Sequence, residues 1–251
     1  MNARGSRVGA TRNDCGWTRD EMMTIAASRL LSNGCICFVG IGLPSAACNL
    51  ARLTHAPDIV LIYESGTIGT RPEVLPLSIG DGELAATAAC VIPLPEVFAW
   101  YLQAGRIDVG FLGAAQVDRL GNLNSTVIGP YAAPTTRLPG AGGATEIATH
   151  ARRTCVMLKA SPRSFVARLD FRTSGRGDVP GRGPAAVITD FGVLTPDPAS
   201  GELRLDGLFP GATVDEARAQ VAWPLAVGEA LRTIDPPRDE ELTKLRALQE
   251  R

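Results

Sequence analysis

The sequence predicts an α/β fold with a mostly parallel sheet. Short continuous apolar runs recur along it: CICFV at 35–39, IVLIY at 59–63, VGFLG at 109–113, CVMLK at 155–159 and AAVITD at 185–190. Such runs, four to six residues long and without polar alternation, are the mark of strands covered on both faces. Helical segments and glycine or proline turns separate them, and strands alternating with helices imply crossover connections between parallel neighbours. No repeat of 20–50 residues competes with that reading.

The elements follow in order. WTRDEMMTIAASRLL opens with a capping box, Thr18 to Glu21, and its apolar residues recur at three and four, so an amphipathic helix is expected up to the stop at Asn33-Gly34. The run 35–39 is a strand, GIGLP a glycine turn, and Pro44 suits the first turn of a helix over 44–53. After a turn at Ala56-Pro57-Asp58 comes the strand 59–63. CVI at 90–92 is a short strand leading to a helix in 95–104. The strands 109–113, 155–159 and 185–190 follow, the last before a turn at Gly192, with helices expected over 213–222 and 239–250. Residues 120–146 are rich in Gly, Pro, Asn and Thr and are expected to be functional, whereas 173–184 read as a mobile surface loop.

The bulk numbers bound the function. With 251 residues, 45% hydrophobic and 20% charged, the chain suits one soluble domain, placed at 18–251, after a basic tail at 1–17 expected to be disordered. A formal net charge of −1 gives no overall field toward nucleic acid or a membrane surface. The apolar runs are far shorter than the ~18 residues of a membrane span, and no leader peptide is visible, so a cytoplasmic protein is expected. The six cysteines form no CxxC pair and read as small buried hydrophobes, Cys35 and Cys37 on one face. Only two histidines, His55 and His150, are present, which leaves a zinc site or a Ser-His-Asp triad thinly supplied; no metal is expected.

The stretch LIYESGTIGTRP raises the functional question, because a buried strand ends on a carboxylate, Glu64, with Gly66 and Gly69 just beyond. Dinucleotide binding is one reading. Gly40-x-Gly42 follows a strand and opens a helix, and Glu64 stands where a ribose-binding acid would; the third fingerprint position, however, is Ser45. An ordinary solvated loop is another. The third is nucleophilic catalysis: Glu64 lies outside the carboxyl end of a strand, and glycines beside it expose backbone N–H groups. Ser65 is a weaker nucleophile, since it lacks a G-x-S-x-G elbow.

Taken together, GIGLPSAACNLA, APDIVLIYESGTIG, PLSIGDGEL, FLGAAQVDRLGNLNST and TRLPGAGGATEIAT resemble the β subunits of family I CoA-transferases, the glutaconate and 3-oxoacid branch, in order and spacing. The resemblance runs from about residue 18 to near 240. It implies a three-layer α/β/α sandwich, with Glu64 as the nucleophile of a ping-pong reaction through a glutamyl-CoA thioester. It further implies that backbone at Gly40, Gly42, Gly66, Gly142 and Gly143, with the amide of Asn124, meets the oxyanion or coenzyme A. Gln116 and Asp118 are expected to pin their loop. Lys159, Arg163 and Arg137 are isolated basic residues, either surface groups or partners of the CoA phosphates. No cofactor is bound permanently on this reading, and coenzyme A is a substrate.

The resemblance also implies a partner. An α subunit is required for activity, in an α2β2 or larger assembly whose contact should be marked by an exposed apolar patch. Relatives that decarboxylate or hydrolyse CoA-linked substrates lack the glutamate, so Glu64 favours transfer, with a dicarboxylate or 3-oxo acid as the default acyl group. A non-catalytic metabolite-binding subunit and an NAD-binding dehydrogenase are the alternatives.

Overall fold

The computed structural model describes residues 16–175 and 183–250. The tail expected to be disordered falls, up to residue 15, outside the described residues, as does the centre of the loop read as mobile, 176–182. Trp17 packs against two hydrophobic clusters, so the packed chain reaches one residue ahead of the expected boundary.

The first half of the chain comprises α1 (Arg19–Ser28), β1 (Ile36–Val39), α2 (Leu43–Leu53), β2 (Val60–Tyr63), β3 (Thr67–Ile68), α3 (Gly82–Ala86) and β4 (Cys90–Val91). A short α4 (Leu94–Glu96) then runs into a π-helix, Val97–Leu102, followed by β5 (Val109–Leu112). Two small hairpins come next, β6 (Gln116–Val117) with β7 (Leu123–Asn124), and β8 (Val127–Ile128) with β9 (Thr136–Arg137). The chain continues through α5 (Ala144–His150), β10 (Arg153–Met157), β11 (Ala186–Ile188), β12 (Gly192–Pro196), β13 (Leu203–Leu208), α6 (Val214–Ala219), β14 (Ala226–Thr233) and α7 (Asp239–Gln249).

Ten strands form one sheet in the order β14-β13-β12-β11-β10-β5-β1-β2-β3-β4. The central five, β2, β1, β5, β10 and β11, are parallel to one another. Both ends turn antiparallel where the connection is too short for a crossover, as at β2 to β3 and β11 to β12. The sequence reading missed β12, β13 and β14. Gly192, expected in a turn, begins β12, where its missing side chain admits the neighbouring strand: a β-carbon there would lie 2.1 Å from the carbonyl oxygen of Gly207.

Successive strand side chains go to opposite faces. Cys37, Val39, Leu61 and Tyr63 pack with Met22, Met23, Ala47 and Cys48 in the layer of α1 and α2. Phe38 and Ile62 pack with Val97, Leu102 and Ile147 in the layer of the π-helix and α5. The molecule is therefore a three-layer α/β/α sandwich. The capping box of α1 is made in both directions: Glu21 N donates to Thr18 Oγ1 at 3.1 Å and Thr18 N to Glu21 Oε2 at 2.7 Å. α7 closes over α1 and α2, placing Leu242 and Leu245 against Ile25, Ala46 and Leu50. Arg29 bonds Glu241 and Arg246 bonds Glu21 across that seam, each at 2.6 Å.

Cys35, Cys37, Cys48 and Cys155 are buried as expected, and burial pushes the Cys155 thiol up to about 12. Cys90 corrects the expectation: it is exposed, on the short edge strand β4. No helix among the described residues is long and apolar enough to cross a membrane.

Candidate active site

Strand parity aims Glu64. The Tyr63 side chain is fully buried on the α2 side, its phenol 2.8 Å from Ser45 Oγ and 3.4 Å from Asn49 Nδ2. Burial pushes that phenol well above its usual range. Ser45, the residue that breaks the dinucleotide fingerprint, is thus a buried anchor for the end of β2. The next side chain, Glu64, turns to the opposite layer, where the π-helix and α5 lie. A β-carbon built on Gly143 would stand 3.3 Å from Glu64 Oε1 and 2.8 Å from Phe98 Cζ. Two residues far apart in the sequence therefore meet. Glu64 is half-buried, and no hydrogen bond or ion pair engages its carboxylate among the described residues.

The glycine turn after β1 joins them by register. Val39 pairs with Tyr63, so Gly40 and Glu64 are the residues that leave the ends of two adjacent parallel strands. Gly42, at φ 84°, caps α2 in a conformation that side chains rarely adopt. α2 leaves β1 on one face of the sheet, while α5 follows β5 on the other. The β1/β5 boundary is thus a topological switch point, where open α/β sheets hold ligands at the carboxyl ends of their strands. Gly110 in β5 allows α5 to come that close, since a β-carbon there would lie 2.5 Å from Ile147 Cγ2.

The second glycine turn is clamped from below. Gly140 N donates to the Ser125 carbonyl at 2.9 Å, and Ser125 Oγ donates back to the Gly140 carbonyl at 2.8 Å. Gly142 has φ 48°. Among the described residues, the N–H groups of Gly40, Gly42, Gly142 and Gly143 have no acceptor. Four of the expected backbone donors are thus uncommitted, two on the turn after β1 and two on the turn that brings Gly143 to the carboxylate.

Two expected site residues are committed elsewhere. Gly66 donates its N–H to the Tyr63 carbonyl at 3.0 Å, closing the turn after β2. Its φ of 102°, and a would-be β-carbon only 1.9 Å from the Ile92 carbonyl oxygen, explain the glycine by backbone packing. Asn124 is fully buried: Nδ2 donates to Gln116 Oε1 at 2.8 Å and to the Val127 carbonyl at 2.7 Å, while Oδ1 accepts from Thr126 N at 3.0 Å. Both amide protons are used, so Asn124 braces its loop.

Gln116 donates to Asp170, and Asp118 accepts from the backbone of Leu120 and Asn122, so both pin the loop. Lys159 is paired with Asp20 at 2.7 Å, and Arg137 lies over the Tyr131 ring. Ser65 Oγ is buried without a hydrogen-bond partner among the described residues, hence without a base. Phe98 is the site residue the sequence reading missed. It lies on the π-helix, in a segment read as an ordinary helix, and nothing in the spacing announces the extra residue per turn.

Residues 20–220 match the family model for coenzyme A transferase. The chain is 54% identical over 245 residues to the B subunit of 3-oxoadipate CoA-transferase from Pseudomonas knackmussii, covering 94% of each. It is similar to the crystal structure of glutaconate coenzyme A-transferase from Acidaminococcus fermentans, with a TM-score of 0.87 and 30% identity over 93% of this chain and 95% of that one. It is also similar to the crystal structure of the decarboxylase AibA/AibB, with a TM-score of 0.83 and 27% identity over 92% and 95%.

Proposed function

This chain belongs to the coenzyme A transferase family, and from that premise we propose that it is the nucleophile-bearing β subunit of a two-subunit enzyme that moves CoA onto 3-oxoadipate or a closely related 3-oxo or dicarboxylic acid. The observation that carries the proposal is the unpaired Glu64 carboxylate set against Gly143, whose N–H group, like that of Gly142, is uncommitted. The substrate class follows the name of the 54% identical relative. A solved decarboxylase shares the fold, so the fold leaves the reaction open and Glu64 carries the choice of transfer.

The chemistry is carboxyl exchange. A Glu64 oxygen attacks the thioester carbonyl of a donor acyl-CoA, and the tetrahedral oxyanion collapses with loss of the CoA thiolate to an acyl-glutamyl anhydride. The thiolate attacks the glutamyl carbonyl, releasing the donor carboxylate and leaving a Glu64–CoA thioester. The acceptor carboxylate then displaces the thiolate to form a second anhydride, and attack of the thiolate on the acyl carbonyl returns acyl-CoA and free Glu64. Each addition places negative charge on a carbonyl oxygen, where the uncommitted N–H groups of Gly42, Gly142 and Gly143 are suited to receive it. A pre-aimed donor is worth about 3–4 kcal/mol in such a step.

An α subunit completes the site on this reading. The sheet edge nearest Glu64, at β3 and β4, leaves Val91, Leu94 and Trp100 exposed, and Trp100 shares the π-helix with Phe98. Apolar surface of that kind suits a permanent partner. The test is to co-express this chain with its partner subunit, add a donor acyl-CoA and trap the thioester by borohydride reduction. The reduced residue should map to Glu64, and Glu64→Gln should abolish turnover. Full turnover by that variant would remove the proposal.

A further inference from the structure

We infer that Phe98 sets the acyl selectivity of the site, admitting chains whose carbon next to the reacting carbonyl is unbranched. The inference rests on the reading of Glu64 as the nucleophile. Phe98 Cζ and Glu64 Oε1 converge on a single point: the position of a β-carbon on Gly143 lies 2.8 Å from the first and 3.3 Å from the second. Only the hydrogen of a glycine fills that point. The ring is therefore the wall of the space immediately beside the carboxylate.

The wall is held in place. Phe98 meets the buried Phe38 of β1 edge to face, with centroids 5.9 Å apart and an interplanar angle of 62°. Val97 and Leu102, in the same π-helix, are fully buried. Two hydrogen bonds spanning five residues, Gln103 N to the Phe98 carbonyl and Arg106 N to the Tyr101 carbonyl, each 2.8 Å, fix the wide turn. The extra residue in that turn re-aims the side chains along it, and here Phe98 goes inward while Trp100 goes to the surface.

Attack requires the acyl carbonyl carbon within about 3–3.5 Å of the nucleophilic oxygen. Substituents on the next carbon then reach the ring. A methylene packs on it at van der Waals distance, whereas a methyl branch meets the carbons of a ring held by its edge-to-face contact with Phe38. The ring also offers no hydrogen bond, so an oxo or carboxylate group must begin further along the chain. The acyl class is a straight chain with polar groups beyond the second carbon, which includes 3-oxo acids and linear dicarboxylates.

The test compares glutaryl-CoA with 2-methylglutaryl-CoA as donors for the two-subunit complex. The ratio of their kcat/KM values should favour the straight chain in the wild type. It should fall about tenfold or more in Phe98→Ala, as expected for a methyl-sized change in an apolar pocket. Phe98→Leu should fall between the two, and it gives the same comparison if Phe98→Ala does not assemble. An unchanged ratio in a folded, assembled variant would overturn the inference while leaving Glu64 in its role. A Glu64→Ala complex that still turns over would instead remove the nucleophile, and the inference with it.

Discussion

Glu64 Oε1 lies 3.3 Å from the position at which a side chain on Gly143 would begin, so a strand end and a helix start from distant parts of the chain share one small volume. Gly143 itself has an ordinary backbone conformation, φ −80° and ψ 0°, which alanine can adopt. The glycine is required by space and not by dihedral angle.

Gly143→Ala therefore separates catalysis from folding. The added methyl would stand 2.8 Å from Phe98 Cζ, closer than real contacts allow, and would push the ring or the carboxylate aside. We expect kcat to fall on the order of 100-fold, the scale of an ångström-sized misplacement of a reacting group. The thermal midpoint should change little. Wild-type turnover by this variant would remove the contact from the mechanism.

Gly66→Ala should behave in the opposite way. Its φ of 102° is strained for any side chain, and the methyl would collide with the Ile92 carbonyl oxygen. The strain alone costs about 1–3 kcal/mol, before the collision is counted. Denaturant unfolding should show the loss directly, and purified Gly66→Ala with wild-type stability would show that the turn is not held as described.

Asn124→Ala distinguishes bracing from substrate contact. Removing the amide leaves the Val127 carbonyl without its buried donor, at about 1–3 kcal/mol for an unsatisfied group, while Gln116 Oε1 keeps the Asp170 N–H. The expected result is a lower unfolding midpoint. A large drop in kcat with no change in stability would instead place the amide on the substrate.

The seam between α1 and α7 predicts a pH dependence. For Glu21, burial acts to raise the carboxyl, but the Arg246 hydrogen bond and the Thr18 N–H outweigh it, and the net position is below the usual 4.5. Glu241 is likewise lowered, burial being outweighed by Arg29 and by the Arg238 N–H. A carboxylate lowered on folding contributes stability above its unfolded value and loses it as pH falls through the folded value. The unfolding midpoint should therefore drop as pH falls below about 4.5, and the slope should flatten in an Arg29→Ala, Arg246→Ala double variant. An equally steep acid slope in that variant would show that other groups carry it.

The strands that sit between two helical layers were legible because burial on both faces leaves continuous apolar runs, as in IVLIY. The half-buried strands at the β12–β14 end escaped. β13 alternates buried and half-buried positions over LRLDGL, and an aspartate and a glycine inside a strand obscure that signal. The capping box at Thr18 and Glu21, the glycine turns and Glu64 were readable as local chemistry. The commitment of the Gly66 N–H and of both Asn124 amide protons was not, because a motif gives residue types and does not record which donors the loop has already used.

The sequence by itself determined the layered α/β architecture and singled out a carboxylate at a strand end, because strand periodicity and turn chemistry act over a few residues. Only the tertiary structure decided that Tyr63 turns one way and Glu64 the other, that Gly143 arrives beside the carboxylate, and that a π-helix brings Phe98 to the same point. Those relations join segments dozens of residues apart through sheet register and helix packing, and their distances depend on how whole layers settle against one another.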